Sequence, residues 1–196
     1  SPLLFAGSVH PLTSNPLAER RHTQYDPTLG WVHTPGLQLP DFYGPGRSLT
    51  INAQGFRGRR GVAERVADGR LRIVCSGDSF TLGYGVDDEQ TWCARLEARD
   101  PRFESVNMGQ GGYGIDQAYL WYRRDGTRLE HQVQVFAFIT ADFGRLLSDR
   151  FQGYGKPVLR LERGELVVEN TPVPRAAFAV PWLAEHREAL NSLRSL

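Results

Sequence analysis

Ser79 lies where a short apolar segment meets a group of small polar residues. Residues 71–75 (LRIVC) have the composition of a buried strand, and residues 76–79 (SGDS) can turn the chain sharply. An α/β fold commonly uses such a junction to hold one serine hydroxyl at the edge of its sheet. A serine nucleophile also needs a neighbouring base, usually histidine, and N–H donors for the oxyanion that forms on the substrate. The alternative is that Ser79 only caps a helix after the strand.

Two further strand-like segments lead to the same edge of the predicted sheet. Residues 103–108 (FESVNM) precede a glycine-rich loop at 109–114 (GQGGYG), and residues 131–139 (HQVQVFAFI) precede Thr140 and Asp142. The segment 131–139 alternates and then becomes wholly apolar, which predicts a central strand. Because ligands bind at the carboxyl ends of strands in open α/β sheets, the three strand ends predict one site.

From residue 71 onward, strand and helix patterns alternate, which predicts an α/β fold with a parallel sheet and helices on its faces. Residues 1–68 are rich in Pro, Gly and His and predict an irregular N-terminal arm with a few short strands, laid against a hydrolase domain of residues 69–196. The arm either packs only or gates a substrate. The other predicted elements are helices at 91–97, from Ile115 to Asp125 and at 182–196, and a hairpin at 157–168.

Residues 77–81 (GDSFT), followed by Gly83 and Gly85, resemble the first sequence block of the SGNH/GDSL serine hydrolases. This family contains esterases, lipases and carbohydrate O-acetyl esterases or acyltransferases. Residues 106–114 (VNMGQGGYG) resemble its second block, and the resemblance covers residues 51 to 142. It implies a three-layer α/β/α sandwich with a parallel sheet, similar to flavodoxin, and Ser79 as the nucleophile.

The resemblance also implies an oxyanion hole. Ser79 and Gly112 would donate their backbone N–H groups, with Gly111 as an alternative and a plain strand-to-helix turn as the non-catalytic interpretation of the loop. The third family block aligns with residues 139–142 (ITAD), where Ala141 stands in place of the donor asparagine. Thr140 or Asn107 could substitute for it. The possible site neighbours are Asp78, Asn107, Thr140 and Asp142.

The catalytic base is missing from the pattern. The family carries an Asp-x-x-His pair near its C-terminus, and this chain contains none. His131 starts a strand at the wrong end of the sheet, His186 lies within a predicted helix, and His33 of the arm could approach the site; His10 and His22 complete the set. The simplest expectation is that the chain stops before its last strands and the Asp-His block, and the alternative is a natural inactive relative.

The predicted function is therefore hydrolysis or transfer of an acyl ester through a Ser79 acyl-enzyme. The resemblance implies O-acetyl groups on carbohydrate as substrates and a periplasmic or extracytoplasmic location. The alternative is an inactive module on the same fold that binds carbohydrate or a protein partner. Four tryptophans could stack on sugars or pack in the core: Trp31, Trp92, Trp121 and Trp182.

Composition and motifs argue against several other classes of protein. The chain has 196 residues, 23% of them charged, with a formal net charge of +1, so no basic surface for nucleic acid is indicated. No segment has the ~20 apolar residues of a membrane span. Zinc-type Cys/His spacing and a P-loop are both absent, so we expect no metal and no cofactor. We expect Cys75 and Cys93 to be buried thiols rather than a disulfide.

Overall fold

The computed structural model describes residues 22–175 as a mixed α/β structure. The predicted C-terminal helix at 182–196 lies outside the described residues. The strands are β1 (Thr23–Asp26), β2 (Gly30–His33), β3 (Gln38–Leu39), β4 (Leu49–Thr50), β5 (Leu71–Gly77), β6 (Phe103–Gly109), β7 (Val133–Ala137), β8 (Arg150–Phe151), β9 (Tyr154–Gly155), β10 (Val158–Glu162) and β11 (Glu165–Glu169). The helices are α1 (Ser79–Leu82), α2 (Trp92–Glu97), α3 (Ile115–Arg124) and α4 (Thr140–Leu146).

The central feature is a parallel sheet of three strands in the order β6-β5-β7. In its register Gly77 lies beside both Gly109 and Ala137, so the carboxyl ends of the three strands coincide as predicted. The sequence predicts a central strand at residues 131–139, and the structure has a strand there at residues 133–137. Among the described strands, β5 is central and β7 is at the edge with its residues partly exposed, because an apolar sequence alone does not determine which neighbours a strand acquires.

Side chains of β5 alternate between two separate hydrophobic clusters. Ile73 and Cys75 pack with Cys93 of α2, whereas Val74 packs with Trp121 of α3. Alternation with a period of two places these clusters on opposite faces of the strand. Both cysteines are buried and free, as expected, and burial raises the pKa of the Cys93 thiol.

The described part of the arm contains the short strands β1 to β4, and the division into an arm and a hydrolase domain stays a prediction. Its strand β2 contributes Trp31, fully buried in the same cluster as Val74 and Trp121. Trp31 and Trp121 are therefore core residues and cannot stack on a sugar.

The predicted hairpin is formed by β10 and β11, which pair antiparallel around Arg163 and Gly164. Both turn residues have positive φ angles, 52° and 87°, as a two-residue turn of type I′ requires. In the described part of the chain, the helices are too short or too polar to cross a membrane.

Candidate active site

Ser79 is the first residue of α1, directly after the turn that leaves β5. The capping role belongs to Asp78, whose Oδ1 accepts a hydrogen bond from the Phe80 N–H at 2.9 Å. The alternative in which Ser79 is the helix cap is therefore wrong. The Ser79 side chain is partly exposed, and its Oγ forms no hydrogen bond within residues 22–175. This hydroxyl is free to contact a substrate.

The glycine-rich loop lies against the turn that carries Ser79. The Gln110 N–H donates to the Gly77 carbonyl at 3.1 Å, and Gly112 has a φ of 80°, which glycine adopts without strain. Within the described residues, the N–H groups of Ser79, Gly111 and Gly112 have no protein acceptor. Unpaired N–H groups near a nucleophile can stabilise an oxyanion. Gly111 and Gly112 therefore both remain candidates for the second donor.

Strand β2 of the arm is hydrogen-bonded to the glycine-rich loop. Trp31 donates its Nε1–H to the Gly111 carbonyl at 2.9 Å, and the Tyr113 hydroxyl donates to the Trp31 carbonyl at 2.6 Å. His33 Nε2 lies 3.0 Å from the Gly109 carbonyl. The arm thus positions the candidate donors, a role that the sequence did not indicate for Trp31.

Asn107 lies beneath α1, and its amide is already engaged. Its Nδ2 donates to the Thr81 carbonyl at 2.8 Å, and its Oδ1 accepts from the Gly109 N–H at 2.9 Å. One N–H of this amide is therefore occupied, and the hypothesis that Asn107 replaces the missing oxyanion donor stays a prediction. A Cβ at Gly109 would lie 1.9 Å from the Leu82 nitrogen, so glycine is required where β6 meets α1.

Helix α4 brings the last strand end to the site. Thr140 and Ala141 are exposed in its first turn, and Thr140 remains a possible donor. Asp142 is buried; its Oδ2 accepts from the Ile139 N–H at 3.0 Å and its Oδ1 pairs with Arg145 at 2.5 Å. Burial raises the pKa of Asp142, and the nearby Asp78 carboxylate adds to this effect. Asp142 mainly fixes the start of α4.

Two cationic side chains, Arg145 and Lys156, connect the segments that follow the strands, and the sequence did not indicate this role. Arg145 Nη1 donates to the Tyr113 carbonyl at 2.8 Å and lies 3.9 Å from Asp78 Oδ2, a buried oxygen without a hydrogen-bond partner in residues 22–175. Lys156 is buried, pairs with Asp116 of α3, and donates to the Arg145 carbonyl at 3.1 Å. These contacts depend on tertiary structure, and nothing in the local sequence marks them.

None of the three histidines in the described range forms a hydrogen bond with Ser79. His33 is buried behind the loop, and this burial lowers its pKa to about 4. His131 lies before β7, with its ring nitrogens against the Tyr122 hydroxyl and the Leu129 carbonyl. His22 packs its ring on Phe42. His10 and His186 lie outside the described residues. The prediction that His131 is at the wrong end of the sheet is confirmed.

Two cavities differ in their relation to the site. The first, of about 380 Å³, lies between the arm and α2, and four of its charged side chains form the ion pairs Arg57–Asp88 and Arg60–Glu97 at 3.0 Å each. The second, of about 300 Å³, includes Ser79 in its lining. Only the second is placed to receive a substrate of Ser79. Within 22–175, no group of three His, Cys, Asp or Glu residues could hold a metal ion.

No protein-family model matches the chain, and no curated protein is significantly similar to it. The relation to the SGNH/GDSL hydrolases therefore stays a prediction based on residues 77–81 and 106–114.

Proposed function

We propose that this protein hydrolyses or transfers an acyl ester through a covalent intermediate on Ser79. The Ser79 oxygen attacks the ester carbonyl while its proton passes to a base, and the tetrahedral intermediate then expels the alcohol. Water or a sugar hydroxyl then attacks the acyl-enzyme and releases the acyl group from Ser79. One observation carries the proposal: the free Ser79 hydroxyl and the unpaired N–H groups of Ser79, Gly111 and Gly112 belong to adjacent strand ends.

In this proposal the base comes from outside residues 22–175, since no described histidine is hydrogen-bonded to Ser79. The proposal also includes a three-layer α/β/α sandwich for the hydrolase domain, with helices on both faces of the parallel sheet. Carbohydrate O-acyl esters, such as O-acetyl groups, are the substrates that the family resemblance favours, and it favours a periplasmic or extracytoplasmic location.

Labelling by a fluorophosphonate tests the nucleophile. An activated serine attacks phosphorus and displaces fluoride, so we expect the full-length protein to gain one adduct at Ser79, identified by peptide mass spectrometry. Ser79→Ala should remove the adduct. Ser76→Ala is the matched control, because Ser76 is a buried serine three residues earlier; this variant should still be labelled.

An inactive binding module is the second candidate function. It is favoured by the Ser79 hydroxyl without a basic partner in the described residues and by Ala141, which cannot donate from its side chain. Absence of labelling in the folded full-length protein, across pH 6 to 9, would refute the enzyme proposal and favour the binding module.

A further inference from the structure

We infer that the cavity of about 300 Å³ beside Ser79 binds the acyl chain of the ester and takes chains longer than acetyl. This inference rests on the proposed function of Ser79. The cavity lies between α1 and α2, and we call it the acyl cavity. Its lining includes Ser79, Phe80, Tyr84, Val86, Gln90 and Trp92.

Folding of the chain after α1 creates the acyl cavity. Gly83 ends α1 in the left-handed conformation, with a φ of 78°, which reverses the chain. A Cβ there would lie 2.6 Å from Thr91 Cγ2 and 3.2 Å from Val86 Cγ2, so residues 84–92 return closely against α1. Trp92 packs on the buried cluster around Cys93 and also lines the cavity. One wall is therefore anchored in the core.

The lining favours a neutral hydrocarbon chain. None of its side chains is charged, so an anionic acyl group would find no counter-charge. Two of its polar atoms are bound within the protein: Gln90 Oε1 accepts from the Asp87 N–H at 3.2 Å, and Thr91 Oγ1 donates to the Asp88 carbonyl at 3.1 Å. An alkyl chain has no polar group that must find a partner when it leaves water.

The volume exceeds what an acetyl group needs. At ~30 Å³ per water-sized group, about 300 Å³ has room for roughly ten such groups, and an acetyl methyl fills about one. The aromatic rings of Phe80 and Tyr84, which line the cavity, are 67% and 68% exposed. A chain of roughly six to eight carbons would cover both rings and fill most of the space.

A series of p-nitrophenyl esters tests this inference on the full chain. From acetate through butyrate and hexanoate to octanoate, we expect kcat/KM to rise about two- to fourfold per added methylene, since each buried methylene is stabilising. Val86→Phe partly fills the acyl cavity and should lower the ratio of octanoate to acetate kcat/KM at least tenfold. Val133→Phe is the matched control, because Val133 is 45% exposed on β7 and does not line the cavity; it should keep the wild-type ratio.

A binding measurement separates failure of the acyl cavity from failure of the proposed function. Ser79→Ala is titrated calorimetrically with hexanamide and, separately, with methyl glucopyranoside. Binding of hexanamide that is lost on adding Val86→Phe supports the inference, even if no ester is hydrolysed and Ser79 is not labelled. Hydrolysis without chain-length preference overturns the inference and leaves the proposed function intact. Binding of methyl glucopyranoside alone, or of neither probe, also overturns it.

Discussion

Acidification should weaken the fold through His33. Burial lowers the pKa of this imidazole from 6.5 to about 4, so between these values the unfolded chain binds a proton that the folded chain does not. Stability therefore falls as the pH drops below 6.5, and the contribution is fully present only above that pH. Each unit of difference between the unfolded and folded pKa values corresponds to about 1.4 kcal/mol, so protonation of His33 can lower the free energy of unfolding by about 3 kcal/mol in total. About 2 kcal/mol of it should be lost between pH 7 and pH 5.

The assay is urea unfolding at pH 5, 6, 7 and 8, followed by tryptophan fluorescence. His33→Gln keeps an N–H donor for the Gly109 carbonyl but does not titrate. Between pH 7 and pH 5, the variant should therefore lose about 2 kcal/mol less of its free energy of unfolding than wild type does. His131→Gln controls for the loss of one imidazole elsewhere. The reasoning would be refuted if wild type and His33→Gln lost stability in parallel over this range.

Two further variants test the contacts that assemble the site. Lys156→Met should lower the free energy of unfolding by about 3–5 kcal/mol in urea, since it leaves the buried Asp116 carboxylate unpaired. If the double variant Lys156→Met/Asp116→Leu were no more stable than Lys156→Met alone, the unpaired carboxylate would not be the cause of the loss. Trp31→Phe removes the donor to the Gly111 carbonyl, and we expect it to slow fluorophosphonate labelling up to about tenfold and to cost about 1 kcal/mol of stability. Trp121→Phe is the control for Trp31→Phe, since Trp121 donates its hydrogen bond to Asp125 rather than to the glycine-rich loop. If labelling slowed equally in both variants, the cause would be altered core packing rather than the lost hydrogen bond.

The site was predictable where its residues are close in sequence. The apolar segment of β5 and the small residues 76–79 specify a strand and a turn over nine residues, so the position of Ser79 follows from local pattern. The same holds for the loop after β6, because its glycines permit backbone conformations that other residues rarely adopt.

The parts of the site that the sequence did not predict depend on contacts between segments far apart in the chain. The Asn107 amide binds the Thr81 carbonyl, 26 residues away, and no local sequence pattern indicated this contact. Arg145 and Lys156 have no periodic or motif signal, because their partners are backbone carbonyls and carboxylates brought together only by the fold. The apolar character of β7 indicated burial, but strand order is set by pairing, which composition does not encode.

The bonds from β2 to the glycine-rich loop also constrain the order of folding. Trp31 and Gly111 are 80 residues apart, and Tyr113 and Trp31 are 82 apart. Contacts at such separations form late, since closing a long loop costs entropy before the contact is gained. We therefore expect β5 and α1 to present Ser79 before the arm has docked. A nascent chain would then carry its serine hydroxyl without ordered N–H donors, and reactivity would arise only with the last step of folding.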